Sequence, residues 1–171
     1  MKIRTILASL AAFVAVFTSS TASAGMYMFG SAGITAHEYY NVTSSSSYKA
    51  GIGYMMPGNF GFEASYINFG TSHVTYPSSG TLTMSGTNFS GVFELPLRPL
   101  IMSFKMGLYN IDADLYGSAS SSGLSWGILF GYETSKNMMI FMDTEGFNSV
   151  DVTGGNWETP ALITFGVRVS L

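Results

Sequence analysis

The sequence contains no cysteine. An exported chain can be cross-linked by disulfides; this one must be held by packing and backbone pairing alone. Charge is scarce too: Asp, Glu, Lys and Arg make up 10% of the residues, where a soluble domain carries about 25%. Two of the seven Lys and Arg residues, Lys2 and Arg4, fall in the first 24 positions. Beyond them 5 cations face 10 acids, a formal charge of −5. That balance does not suit nucleic acid or an anionic surface. Past residue 24, no apolar stretch approaches the ~20 residues of a membrane-spanning helix. The usual anchors are all missing.

What is present is hydrophobicity without runs. Aromatic residues reach 15% and the mean hydropathy is +0.29. A chain of this kind must distribute its apolar residues by alternation. Lipid admits only helices or closed barrels, because an open sheet edge leaves backbone groups unpaired. The composition therefore predicts a transmembrane β-barrel. Residues 1–24 are set apart as a signal peptide: Lys2 and Arg4, an apolar run over 6–17, then Ala22, Ser23 and Ala24 as a small-residue cleavage site. Residues 25–171 form one barrel domain.

Period-two alternation is clearest over 161–171. Ile163, Phe165, Val167, Val169 and Leu171 share one face, and Thr164, Gly166, Arg168 and Ser170 the other. Seven more segments alternate, over 26–35, 48–55, 60–69, 81–95, 101–111, 123–133 and 138–147. Outward residues are read as Tyr27 and Phe29; Tyr48, Ala50, Ile52 and Tyr54; Phe60, Phe62, Ala64 and Tyr66; Phe89, Phe93 and Leu95. The same face continues with Phe104, Met106 and Leu108; Leu124, Trp126, Ile128, Phe130 and Tyr132; Ile140 and Met142. The inward face is mostly Gly and Ser, a poor water-facing surface but a good filling for a narrow lumen. Short turns at 57–59, 96–99 and 135–137 alternate with longer polar loops at 37–47, 71–80, 116–122 and 148–157. This asymmetry marks outer-membrane barrels, with short turns on the periplasmic side and an even strand number.

Gly53 and Tyr54 before a turn, FGFEASY at 60–66, FKMGLY at 104–109, GLSWGILFGY at 123–132 and FGVRVSL at 165–171 resemble the small OmpA/OmpX-like outer-membrane barrel family. The similarity covers essentially all of 25–171, and its specificity lies in the order and spacing of degenerate motifs. It implies an all-β, eight-stranded antiparallel up-and-down transmembrane barrel in the outer membrane of a Gram-negative bacterium, monomeric and without a cofactor. It also implies a non-enzymatic structural or surface role, in envelope integrity or adhesion through polar loops. A small low-conductance porin-like channel is the alternative, and a lipid-modifying barrel enzyme a third class. Implied partners are outer-membrane lipids and lipopolysaccharide, the barrel-insertion machinery and periplasmic chaperones, with an unidentified surface ligand at the loops. No peptidoglycan-binding domain is expected after the barrel. The family's last strand serves as the address for insertion, here Phe165, Val167, Val169 and Leu171; the terminal residue is usually Phe, so Leu171 departs from it.

Alternation puts Lys49, Glu63, Glu94, Lys105, Glu133, Asp143, Glu145 and Arg168 on the inward face. Three cations and five acids in a narrow lumen should pair, since an unpaired buried charge is costly. Folding 101–111 and 123–133 about their loop sets Lys105 level with Glu133, and Lys49 lies diagonal to Glu63. Such a cluster plugs an eight-stranded lumen, gates a small pore, or supplies acid–base catalysis. The loop charges are all acidic: Glu38, Asp112, Asp114, Asp151 and Glu158, while Arg98 and Lys136 sit in short turns. Loops of this kind do not grip phosphates by ion pairing. Hydrogen bonding, aromatic contact through Tyr39, Tyr40, Tyr76 and Trp157, or a divalent cation remains. A lipid hydrolase would need His beside Ser with an orienting acid. His37 and His73 are read as solvated loop residues instead. No phosphate loop, metal-ligand spacing or dinucleotide fingerprint is present.

Overall fold

The computed structural model describes residues 25–37, 42–74, 80–115, 117–153 and 156–171. The leader expected over 1–24 lies outside them, as do Glu38, Tyr39, Tyr40 and Tyr76. Ten strands follow in order: β1 Met26–Ala36, β2 Ser45–Met56, β3 Phe60–Val74, β4 Gly80–Leu97, β5 Leu100–Asp114, β6 Ser118–Ser135, β7 Met138–Phe147, β8 Val150–Thr153, β9 Asn156–Glu158 and β10 Ala161–Ser170. Eight of them close into one antiparallel barrel, in the order β1-β10-β7-β6-β5-β4-β3-β2. The remaining pair, β8 and β9, forms a separate two-stranded hairpin. The expected eight-stranded up-and-down barrel is the observed one.

β1 and β10 close the sheet over ten residue pairs, from Tyr27 opposite Ser170 to Ala36 opposite Ala161. The Leu171 amide donates to the Met26 carbonyl at 2.9 Å. β1 begins and β10 ends at the short-turn rim. There the first turn needs left-handed backbone at Gly58 (φ 101°) and Asn59 (φ 64°), which explains the Pro-Gly-Asn composition of 57–59.

The outer wall is an apolar band of defined height. Leu97 to Phe89 on β4, Leu100 to Leu108 on β5 and Tyr132 to Leu124 on β6 each span eight residue steps and end on exposed apolar side chains. At ~3.4 Å per residue and a tilt of ~40°, that is roughly 21 Å along the barrel axis, close to the ~25 Å band of a lipid-embedded barrel. Every outward assignment on β2 to β7 and β10 agrees with the exposure pattern.

β1 departs from expectation. Tyr27 and Phe29 point into the lumen and are buried, while Met28, Gly30, Ala32 and Ile34 face out. Both faces of β1 carry apolar residues, so alternation alone does not choose between them. Neighbouring glycines do. Tyr27 pairs with Gly53 and Phe29 with Gly51, and a Cβ at either glycine would collide with the aromatic ring beside it. The lumen is thus filled by large rings lying over glycines, not by Gly and Ser alone.

Strands β3 to β6 also run further past the band than expected. Residues 71–74, 112–114 and 118–122, read as loop or loop-proximal, belong to the sheet, as do 45–47 of β2. The segment 148–157 folds back as the β8–β9 hairpin.

Candidate functional site

The lumen holds three layers. At the short-turn end, Tyr27, Phe29, Ile101, Leu129, Met139 and Phe141 form an apolar cluster. At the long-loop end lies a second, built from Ile67, Phe69, Leu82, Met84, Tyr109, Ile111, Phe147 and Leu162 of the wall with Val150 and Val152 of β8. Between and among these side chains sits a charged belt. Lys49 Nζ reaches Glu145 Oε1 at 2.6 Å and Asp143 Oδ2 at 3.3 Å. Lys105 Nζ reaches Asp143 Oδ2 at 2.9 Å and Glu63 Oε2 at 3.0 Å. The Tyr27 hydroxyl donates to Glu63 Oε1 at 2.9 Å, and all five charged groups are buried. The Phe29 ring lies between the ammoniums, 5.4 Å from Lys49 Nζ and 5.6 Å from Lys105 Nζ. Nearer the rim, Arg168 pairs with Glu94 and stacks its guanidinium over Tyr27, 3.8 Å from the ring centroid.

Seven of the eight charges assigned to the lumen are therefore brought together, but not with the expected partners. Lys105 lies opposite Gly127, not Glu133. Residues 118–122 extend β6 instead of forming loop, which moves the hairpin centre and shifts the register by six residues. Glu133 stands at the rim, 36% exposed, and lies 4.0 Å from the Arg98 side chain, itself 83% exposed. Lys49 lies opposite Ile67, four residues from Glu63, and crosses the lumen to β7 instead. Cross-lumen contacts of this kind are invisible to neighbour-strand arithmetic.

The long-loop mouth is capped. Val150 and Val152 are buried among Phe69, Tyr109 and Phe147, the Tyr109 hydroxyl donates to the Asn148 carbonyl, and the Asp151 amide donates to Ser121 Oγ at 2.8 Å. His37 Nε2 and Ser72 Oγ share a hydrogen bond at 2.9 Å, and His37 Nδ1 lies 3.6 Å from Glu158 Oε1 of β9. The solvated reading of His37 is wrong: its side chain is 0% exposed, and burial holds its pKa below the ordinary imidazole value. His73 stays exposed on the outer face of β3. Serine, histidine and acid thus stand in the order of a hydrolytic triad, yet Ser72 is 1% exposed and faces the packed interior. The arrangement ties β1, β3 and β9 together and offers no hydroxyl to a lipid ester.

Above the lipid band the outer wall of β3 to β6 becomes a polar lattice. The last apolar row is Ala64, Phe89, Leu108 and Leu124. The next runs Tyr66, Thr87, Asn110 and Ser122; then Asn68, Ser85, Asp112 and Ser120; then Thr71, Thr83, Asp114 and Ser118. Asp112 and Asp114 therefore lie on this wall and not in a loop. Among the described residues no group of three or more His, Cys, Asp or Glu side chains could hold a metal.

β10 presents Ile163, Phe165, Val167 and Val169 to the exterior. No family model matches the sequence, and no curated protein matches it. Solved structures do. Neisserial surface protein A, NspA, aligns over 86% of this chain and 98% of its own at 16% identity, with a TM-score of 0.62. OprG from Pseudomonas aeruginosa covers 88% and 98% at 12% identity, TM-score 0.57. Ail, the attachment invasion locus protein of Yersinia pestis, covers 85% and 97% at 12% identity, TM-score 0.54. The chain has the fold of the eight-stranded outer-membrane barrels.

Proposed function

We propose that this protein is a non-enzymatic, non-conducting barrel of the outer membrane that acts at the cell surface and in the envelope. One observation carries the reading: the lumen is filled by a buried ion-pair belt packed with two apolar clusters, within a wall whose outer face is an apolar band. Such a barrel is a scaffold for what it displays. Its short turns face the periplasm, its capped mouth faces outward, and residues 1–24 direct export. β10 presents Phe165, Val167, Val169 and Leu171 to the insertion machinery.

Two relatives in fold are named for surface display and attachment, and Ail has been crystallised with the heparin analogue sucrose octasulfate. The surface role extends to this chain, but recognition of sulfated polymers does not. All five Lys and Arg residues beyond position 24 lie in the lumen or the short turns. Planar-bilayer recording tests the proposal. The purified barrel should insert without discrete conductance steps; reproducible steps that change with Lys105→Met would establish a pore instead.

A further inference from the structure

We infer that the charged belt of the lumen binds a single alkali cation, held by Asp143 and Glu145 together with the hydroxyls of Ser31 and Ser47. The belt is not neutral by itself. Lys49 and Lys105 contribute two positive charges, and Glu63, Asp143 and Glu145 three negative ones, so one negative charge is left over. Arg168 and Glu94 cancel each other nearer the rim. All five belt groups are buried, and a buried charge without a counter-charge is costly.

The surplus can be placed. Glu63 uses both carboxylate oxygens, Oε1 for the Tyr27 hydroxyl and Oε2 for Lys105. Asp143 offers Oδ2 to both ammoniums, and Glu145 offers Oε1 to Lys49. Their other oxygens, Asp143 Oδ1 and Glu145 Oε2, are shut off from solvent and have no hydrogen-bond partner among the described residues. Two hydroxyls are in the same condition, Ser31 Oγ and Ser47 Oγ. Ser31 of β1 lies directly opposite Lys49, and Ser47 is the next inward residue along β2. Both flank the root of the side chain whose tip meets Asp143 and Glu145. Thr164 of β10 stands opposite Asp143 on one side and Gly33 on the other, and Gly33 stands opposite Ser47. Gly33 adds no side chain to that line.

Four enclosed oxygens thus share the contiguous strands β7, β10, β1 and β2, none hydrogen-bonded to another. A bridging water would satisfy them but leave the surplus charge in place. A divalent ion would turn the belt positive. An alkali ion neutralises it, and carboxylate and hydroxyl oxygens are the donors a hard cation takes. Apolar clusters pack both ends of the lumen, so the ion is taken up as the barrel closes and is then retained.

The test refolds the barrel from urea into detergent micelles in sodium, potassium or choline chloride, at equal ionic strength and pH. Choline carries the same charge but is too large to enter. Barrels refolded with sodium or potassium should carry a single alkali ion through gel filtration, counted by atomic emission. They should also unfold at a higher urea midpoint than barrels refolded with choline. Glu145→Gln removes the surplus charge and should abolish both the retained ion and the difference between salts. Ser47→Ala should lower retention about fivefold, the strength of one polar contact. Ser103→Ala, which removes an equally unpartnered hydroxyl on β5, should leave retention unchanged. Equal midpoints in the three salts with no retained ion would overturn the inference and assign the balancing charge to a proton. Retention unaltered by both Glu145→Gln and Ser47→Ala would overturn the placement. Heat-modifiable gel migration of each variant shows that it is folded before its ion is counted.

Discussion

Lys105 shows what single residues do in this lumen. Its ammonium joins Glu63 of β3 to Asp143 of β7, so one side chain braces strands that are not neighbours in the sheet. Lys105→Met should leave Glu63 with only the Tyr27 hydroxyl and Asp143 with only Lys49, in an environment with little water, and cost about 3–5 kcal/mol. The readout is the urea midpoint of the folded, heat-modifiable form. Replacing Glu63 with Gln as well should recover part of that loss, because the second change removes the carboxylate whose ammonium partner is gone. A Lys105→Met barrel as stable as the parent would show that the belt does not hold the strands. Tyr27→Phe is a milder probe, removing only the donor to Glu63, at about 1.5–3 kcal/mol for a bond to a charged group. Gly53→Val tests the ring-over-glycine packing: its side chain would occupy the space of the Tyr27 ring, and the folded yield should fall sharply.

At the scale of elements, the β8–β9 hairpin and β10 carry separate consequences. The hairpin is tied down partly through His37, whose pKa is lowered by burial. A lowered folded pKa means the closed mouth favours the neutral ring. That stability is complete above the ordinary imidazole value of about 6.5 and is lost as pH falls from there through the lowered folded value. Glu158, 3.6 Å away, would attract the protonated ring and limits the effect without reversing it. Limited proteolysis of 148–160 in proteoliposomes should therefore quicken between pH 8 and pH 5.5, and His37→Gln should flatten that dependence. Cleavage independent of pH in the parent would count against His37 as the latch. For β10, Leu171→Phe should leave assembly intact or improve it, while Leu171→Asp should impair it. Equal assembly of the three in a pulse-chase assay of heat-modifiable product would mean that the end of this strand is not read.

The whole molecule is a closed sheet with a solid interior, and its properties follow from closure. Every barrel strand has two partners, so the sheet offers no edge to lipid, and only above the band does β6 run on from Ser125 to Ser118 past the end of β7. The fold should persist in SDS without boiling and migrate faster than the heated form. A helical circular dichroism spectrum would exclude it. Much of this architecture is legible in the chain, because a strand in a barrel wall has one face in lipid and one in the lumen. The alternation of Phe104, Met106 and Leu108 with Ser103, Lys105 and Gly107 is a direct record of that. β1 is the exception that shows the limit, since Tyr27 and Met28 are both suited to lipid and only the space above Gly53 decides between them.

Composition and alternation sufficed for the eight strands of the barrel, the lipid-facing side of seven of them, the inward set of charges and the confinement of cations to lumen and turns. Each of these depends on residues one or two positions apart, or on composition. Folding alone brings Lys49 to Asp143 and Glu145, keeps Glu133 at the rim and buries His37 beside Glu158. Those outcomes depend on register and on contacts across a closed lumen. The serines at 118–122 carry the same composition in a loop as in a raised wall; it took their pairing with 110–114 to make them a surface.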